Sequence, residues 1–182
     1  MKLRFIWLFS LVLFLGSCVS LTANFSPADK LYFQAKQFAK EGKRDFVFLS
    51  LSELIREYPG YKFIAEARFA VGEYHFLSGN YNKAVNDLVG FLKNYPNHKG
   101  SVFAKSFLYK IINDNKWINS EEAGKIAKAI KEEFFSTPAF FVFSEFKEKS
   151  LKSLLGNSYS LKEYVDKIEI FANGKLLLSV SL

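Results

Sequence analysis

At 182 residues the chain has room for one domain with a real core, and its lone cysteine excludes an intramolecular disulfide framework. Four prolines and 10 glycines are few, which argues for long regular elements rather than a loop-rich fold. A formal charge of +7 points to anionic partners, and the 21 phenylalanines have to be buried or used as binding surface.

Lys2 and Arg4 precede an apolar run from Phe5 to Gly16, the pattern of an export signal. The run is 12 residues, short of the roughly 20 that span a bilayer. It ends in Leu15-Gly16-Ser17-Cys18, which resembles the lipobox of bacterial lipoproteins. Small side chains leave the backbone open to a membrane peptidase, and the thiol accepts the diacylglycerol. The other reading, an ordinary signal with an incidental Cys18, leaves a free thiol in an oxidising compartment. The resemblance implies that residues 1–17 are removed and that Cys18 is lipidated. One acyl chain holds only marginally, and this modification supplies two or three. Val19 after the cysteine is compatible with the outer membrane. The 165 residues left carry 23 basic side chains against 18 acidic ones. In an exported protein that excess faces anionic headgroups or an acidic protein surface, not nucleic acid.

Residues 18–28 read as a polar tether with Pro27 near a helix start, and residues 29–156 as a helical domain built on a repeat. Gly42 and Gly79 are 37 residues apart, as are Pro59 and Pro96, and 16 residues separate glycine from proline in each copy. In the second copy Ala84, Val85, Leu88, Val89, Phe91, Leu92 and Tyr95 recur at three- and four-residue steps, the stripe of a buried helical face. Asn80 is placed to cap that helix and Pro96 to stop it. Between the copies, "GYKFIA" lengthens either the next helix or the loop before it.

A third unit opens with a helix over Ser101–Ile112 that turns Val102, Phe103, Phe107, Leu108 and Ile111 inward. Asn119 then caps "SEEAGKIAKAIKEEFF", with Glu122 completing a capping box. A further helix is expected from Pro138 to a stop at Gly156. The chain thus reads as mostly α, a short solenoid of antiparallel helix pairs, with a C-terminal β-hairpin over residues 157–182. In the hairpin Asn173-Gly174 divides two β-prone runs. A two-residue turn puts Phe171, Leu176, Leu178 and Val180 on one face and Ile168, Ile170 and Leu177 on the other. An isolated hairpin is marginal in water, so it docks on the last helix or adds its edge to a partner's sheet.

Catalytic constellations are absent from the pattern. His75 and His98 are the only histidines; the first is expected as a structural side chain in a helix, the second as a solvated residue of the loop "NYPNHKG". No cluster has zinc spacing, no glycine-rich phosphate loop follows a strand, and no serine sits in a nucleophile elbow. Glu121-Glu122 and Glu132-Glu133 read as solvated helix faces. The expectation is a binding protein and not an enzyme, with no cofactor and no metal.

The repeat resembles the tetratricopeptide family. Gly72, Gly79, Tyr81, Ala84, Leu88, Phe91 and Pro96 fall at its signature positions. Ala35, Gly42, Val47, Leu51, Leu54 and Pro59 do so in the first copy, where Arg44 replaces the usual aromatic. The spacing of 37 exceeds the family's roughly 34. The resemblance implies inner helices that line a groove for extended peptides or partner elements. It assigns to that groove Asp29, Tyr32, Lys36 and Lys40, then Glu66, Phe69, Glu73 and Phe76, then Phe103, Phe107 and Lys110; each phenylalanine can instead be core. With the lipobox and with "EYP" and "NYP" closing successive repeats, residues 25–115 resemble the D-component lipoproteins of the outer-membrane β-barrel assembly machine (BamD-like). Members carry about five repeats, and this chain has space for about three, with a hairpin where further helices would stand. The resemblance implies a non-catalytic protein, lipid-anchored on the periplasmic face of the outer membrane. Its partner would be the membrane-embedded barrel-assembly subunit or unfolded barrel precursors. A scaffold of envelope maintenance (Tol–Pal type) or of pilus biogenesis is the alternative.

Overall fold

The computed structural model describes residues 25–114, 120–135 and 150–181. The export signal, Cys18, Asn119 and the expected helix start at Pro138 lie outside the described residues. Six helices are described: α1 (Pro27–Lys40), α2 (Arg44–Glu57), α3 (Ile64–Leu77), α4 (Tyr81–Asn94), α5 (Ser101–Asn113) and α6 (Glu121–Phe134). Strands β1 (Ser150–Lys152), β2 (Ser158–Glu163), β3 (Lys167–Ala172) and β4 (Lys175–Ser181) follow. They form one sheet in chain order with every neighbouring pair antiparallel. The chain is mostly helical with a C-terminal four-stranded sheet.

Local chemistry sets the helix ends, and it recurs. Ser26 Oγ accepts from the Asp29 N–H at 3.1 Å while the Asp29 carboxylate accepts from the Ser26 N–H at 3.2 Å, a capping box. Pro27 occupies the first turn, where no N–H is needed. Helices α1, α3 and α5 begin at residues 27, 64 and 101, and α2 and α4 at 44 and 81, so the 37-residue spacing holds in the backbone. Gly42 and Gly79 turn the chain at φ of 71° and 73°, a left-handed conformation that costs a side-chain-bearing residue about 1–2 kcal/mol. The amide of each donates at 3.1 Å, to Ala39 and Phe76 respectively. Tyr58 and Tyr95 end their helices at nearly the same dihedrals, −133°/60° and −136°/55°. Helices α1 to α4 have 14 residues each, so the extra length lies in the connection 58–63 rather than in α3. Gly72 permits the approach of α3 to α4: a Cβ there would stand 2.8 Å from Leu88 Cδ2.

Two expected caps differ. Asn80 occupies its N-cap position without a side-chain hydrogen bond. Ser120, not Asn119, caps α6: its Oγ accepts from the Ala123 N–H at 3.2 Å. The box register therefore moves by one residue, and Glu122 does not close it.

The larger correction is at the C-terminus. Ser150–Lys152 is a strand, not the end of a helix, and Gly156 sits at φ of 86° in the turn that follows it. Leu151 is buried between exposed Ser150 and Lys152, the alternation of a half-buried strand. Pairing of Leu151 with Tyr159 wins over the helical spacing of the leucines, because tertiary contacts override propensity. The expected hairpin is thus half of a sheet that starts at Ser150 rather than at 157. Its Asn173-Gly174 turn forms, both residues having positive φ. A bulge after Ile170 then sets Ile170 opposite Leu178 and Ile168 opposite Val180. The expected faces are corrected accordingly: Ile168, Ile170, Leu178 and Val180 share one face, and Phe171 lies across from Leu176 on the other.

That inner face meets the helices. Leu151, Tyr159, Leu161, Ile168 and Ile170 join Phe69, Leu88, Phe91, Phe103, Phe107, Leu108 and Ile111 in one core. A second core holds Tyr32, Ala35, Val47, Leu51, Leu54 and Ala67 under Leu155. Each fully buried Leu, Ile or Phe contributes about 1.5–3 kcal/mol, so the sheet is a structural part of the helical body. No described helix is long and apolar enough to cross a membrane.

Candidate functional site

Where the groove was expected, the chain's own C-terminal sheet is seated. Glu73, in the middle of α3, is fully buried. Its Oε1 accepts from Ser153 Oγ at 3.0 Å, from Asn157 Nδ2 at 2.7 Å and from Tyr159 Oη. Oε2 has no hydrogen-bond partner among the described residues. Burial pushes the carboxyl up to about 7, against the pull of the three donors and of the Arg44 charge. Burial and the neighbouring Glu73 raise the Tyr159 hydroxyl likewise. Arg44, the departure from the repeat pattern, thus supplies a cation whose field reaches the buried acid. Tyr159 also packs edge-on against Phe69 at 6.4 Å and Phe107 at 5.5 Å. The arrangement fastens the β1–β2 connection and β2 to α3, and packs β2 against α5.

Beside this latch a cavity of about 570 Å³ remains open. Tyr32, Lys36 and Lys40 of α1 form one wall, and Phe63, Glu66 and Phe69 another. Leu151 to Leu154 of the β1–β2 corner form the third. Tyr32 and Phe63 stack with centroids 4.7 Å apart, and Lys36 Nζ lies 5.6 Å from the Tyr32 ring centroid. Lys99 and Lys152 stand at the rim with Lys36 and Lys40, all four exposed. Glu66 is the acid of the lining; His98 beside it, Nε2 at 3.8 Å, holds its carboxyl below the usual range. His98 Nδ1 accepts from the Gly100 N–H at 3.0 Å, which leaves the ring proton on Nε2, facing Glu66. His98 is therefore a half-buried wall residue and not a solvated loop residue. His75 is buried, with Nδ1 2.6 Å from Asp87 Oδ2 on α4.

Of the residues expected in the groove, Tyr32, Lys36, Lys40, Glu66 and Phe69 come together around the cavity. Phe103 and Phe107 are fully buried and Glu73 is sealed under the sheet, so none of the three lines an open groove. Half-buried Phe76 stacks on Phe107 at 4.5 Å. Lys110 pairs with Asp114 at 3.0 Å, and Asp29 accepts from Tyr61 Oη at 2.7 Å. Sequence reasoning missed His98, Lys99, Lys152, Ser153, Asn157 and Tyr159. Reading 150–156 as helix hid the strand alternation around Leu151, the signal that would have brought the last four into view. Among the described residues no His, Cys, Asp or Glu group is placed to hold a metal ion. No protein-family model, curated protein or solved structure matches the chain.

Proposed function

We propose that the chain is a non-catalytic, lipid-anchored scaffold of the bacterial cell envelope, a tetratricopeptide-like solenoid that holds a protein partner during outer-membrane β-barrel assembly. The observation that carries the reading is the 37-residue recurrence of helix starts and turn dihedrals from α1 to α5. Stacked equivalent units of this kind present extended binding surfaces. The lipobox-like Leu15-Gly16-Ser17-Cys18 supports the anchor, and the resemblance of the repeat and lipobox together to D-component lipoproteins supports the partner. Glu73, the acid that burial pushes up among the described residues, faces a docked sheet and not a solvent-filled cleft, which favours a structural role for it over catalysis.

The test is affinity purification of the tagged full chain from cross-linked membranes. The reading expects the membrane-embedded barrel-assembly subunit among the partners. Recovery of cell-wall or pilus components alone would transfer the scaffold to envelope maintenance or pilus biogenesis.

A further inference from the structure

We propose that the lysine-rimmed cavity beside the Glu73 latch binds an acidic peptide segment, seating one apolar side chain of that segment on the stacked Tyr32 and Phe63 rings where two of its walls meet. The inference rests on the scaffold reading and gives its partner a chemistry. Lys36 and Lys40 lie one turn apart on α1, and Lys99 and Lys152 approach the same mouth from two other segments. None of the four forms a close ion pair with a carboxylate among the described residues, and of the four only Lys99 adds its charge to the pull on Glu66. Four ammonium groups around one opening repel one another and raise the local concentration of anions. Below them the stacked Tyr32 and Phe63 rings offer an apolar seat. The volume, about 570 Å³, lies in the range of ligand pockets, roughly 300–1,000 Å³.

Glu66 selects among anions. Its carboxylate, kept ionised by His98, opposes a fatty-acid headgroup pushed deep into the cavity, whereas a peptide brings N–H donors that it can accept. The third wall is fixed as well. Ser153, on the β1–β2 corner, donates to Glu73, so the latch that fills the rest of the expected groove also shapes this cavity.

The experiment is fluorescence anisotropy with the full chain in zwitterionic nanodiscs. The probe is a labelled pentapeptide of four acidic residues around a central phenylalanine. Saturable binding is expected, weakened at least about tenfold in a Lys36→Glu/Lys40→Glu variant and reduced by added salt. Lys152→Glu, on the opposite wall, should weaken it too, while Lys83→Glu on α4 should not. All these side chains are exposed, and circular dichroism checks that the variants fold. Equal affinity in the doubly reversed variant, equal affinity for the amide version of the peptide, or displacement by oleate more readily than by unlabelled peptide would overturn the assignment. Recovery of the barrel-assembly subunit with both α1 lysines reversed would sink the cavity assignment alone. Lysine-dependent peptide binding without that subunit would sink the partner reading alone.

Discussion

Replacing Glu73 by Gln removes a titration while keeping an acceptor oxygen for Ser153, Asn157 and Tyr159. Burial pushes the Glu73 carboxyl from the ordinary 4.5 up to about 7, so the folded chain holds this proton more tightly than the unfolded chain does. The associated stability is fully present below about 4.5 and is lost as pH rises through about 7. At 1.36 kcal/mol per pKa unit the loss is about 3 kcal/mol, or roughly 6–12 °C in Tm for a chain of this size. The variant's amide nitrogen and the acid's hydroxyl both stand where Oε2 has no hydrogen-bond partner among the described residues, so the two neutral forms are close in kind. Urea titrations at pH 5 to 8, followed by circular dichroism, should show the two proteins converging at low pH. At pH 8 the Glu73→Gln variant should be the more stable by up to about 3 kcal/mol. Parallel stability curves across that range would refute the reasoning.

The turn glycines test the internal equivalence: Gly42→Ala and Gly79→Ala should each cost about 1–2 kcal/mol, and a large difference between them in urea denaturation would show that the two turns are not alike. Gly72→Val should cost about 1–3 kcal/mol by forcing Leu88 aside, and unchanged stability would deny the close approach of α3 to α4. Cys18→Ala should abolish incorporation of a labelled lipid precursor, and equal labelling would remove the proposed anchor.

What was legible in the sequence was local. Gly42, Gly79, Pro59 and Pro96 act on the backbone within a few residues, so their common spacing translated directly into equivalent turns and helices. The sheet was only half legible. Asn173-Gly174 announces its own turn, but the bulge after Ile170 carries no such mark, and one extra residue exchanges the faces of a strand. The site was least legible because its bonds are long-range. Glu73 meets Ser153, Asn157 and Tyr159 across 80, 84 and 86 residues, and nothing near Glu73 signals that a sheet will cover it. The same covering turned Phe103 and Phe107 from groove into core and left the lysines of α1 at the edge of what stays open.

The central claim, that the C-terminal sheet is fastened to the helices through Glu73, is tested most directly by a double-mutant cycle of Glu73→Leu and Tyr159→Phe measured by urea denaturation. Glu73→Leu leaves Tyr159 Oη, Ser153 and Asn157 without their acceptor, Tyr159→Phe takes one of three donors from Glu73 Oε1, and the double variant loses the Glu73–Tyr159 bond only once, so the account predicts a coupling of about 1–3 kcal/mol. Strictly additive effects would mean that the sheet does not rest on that carboxylate.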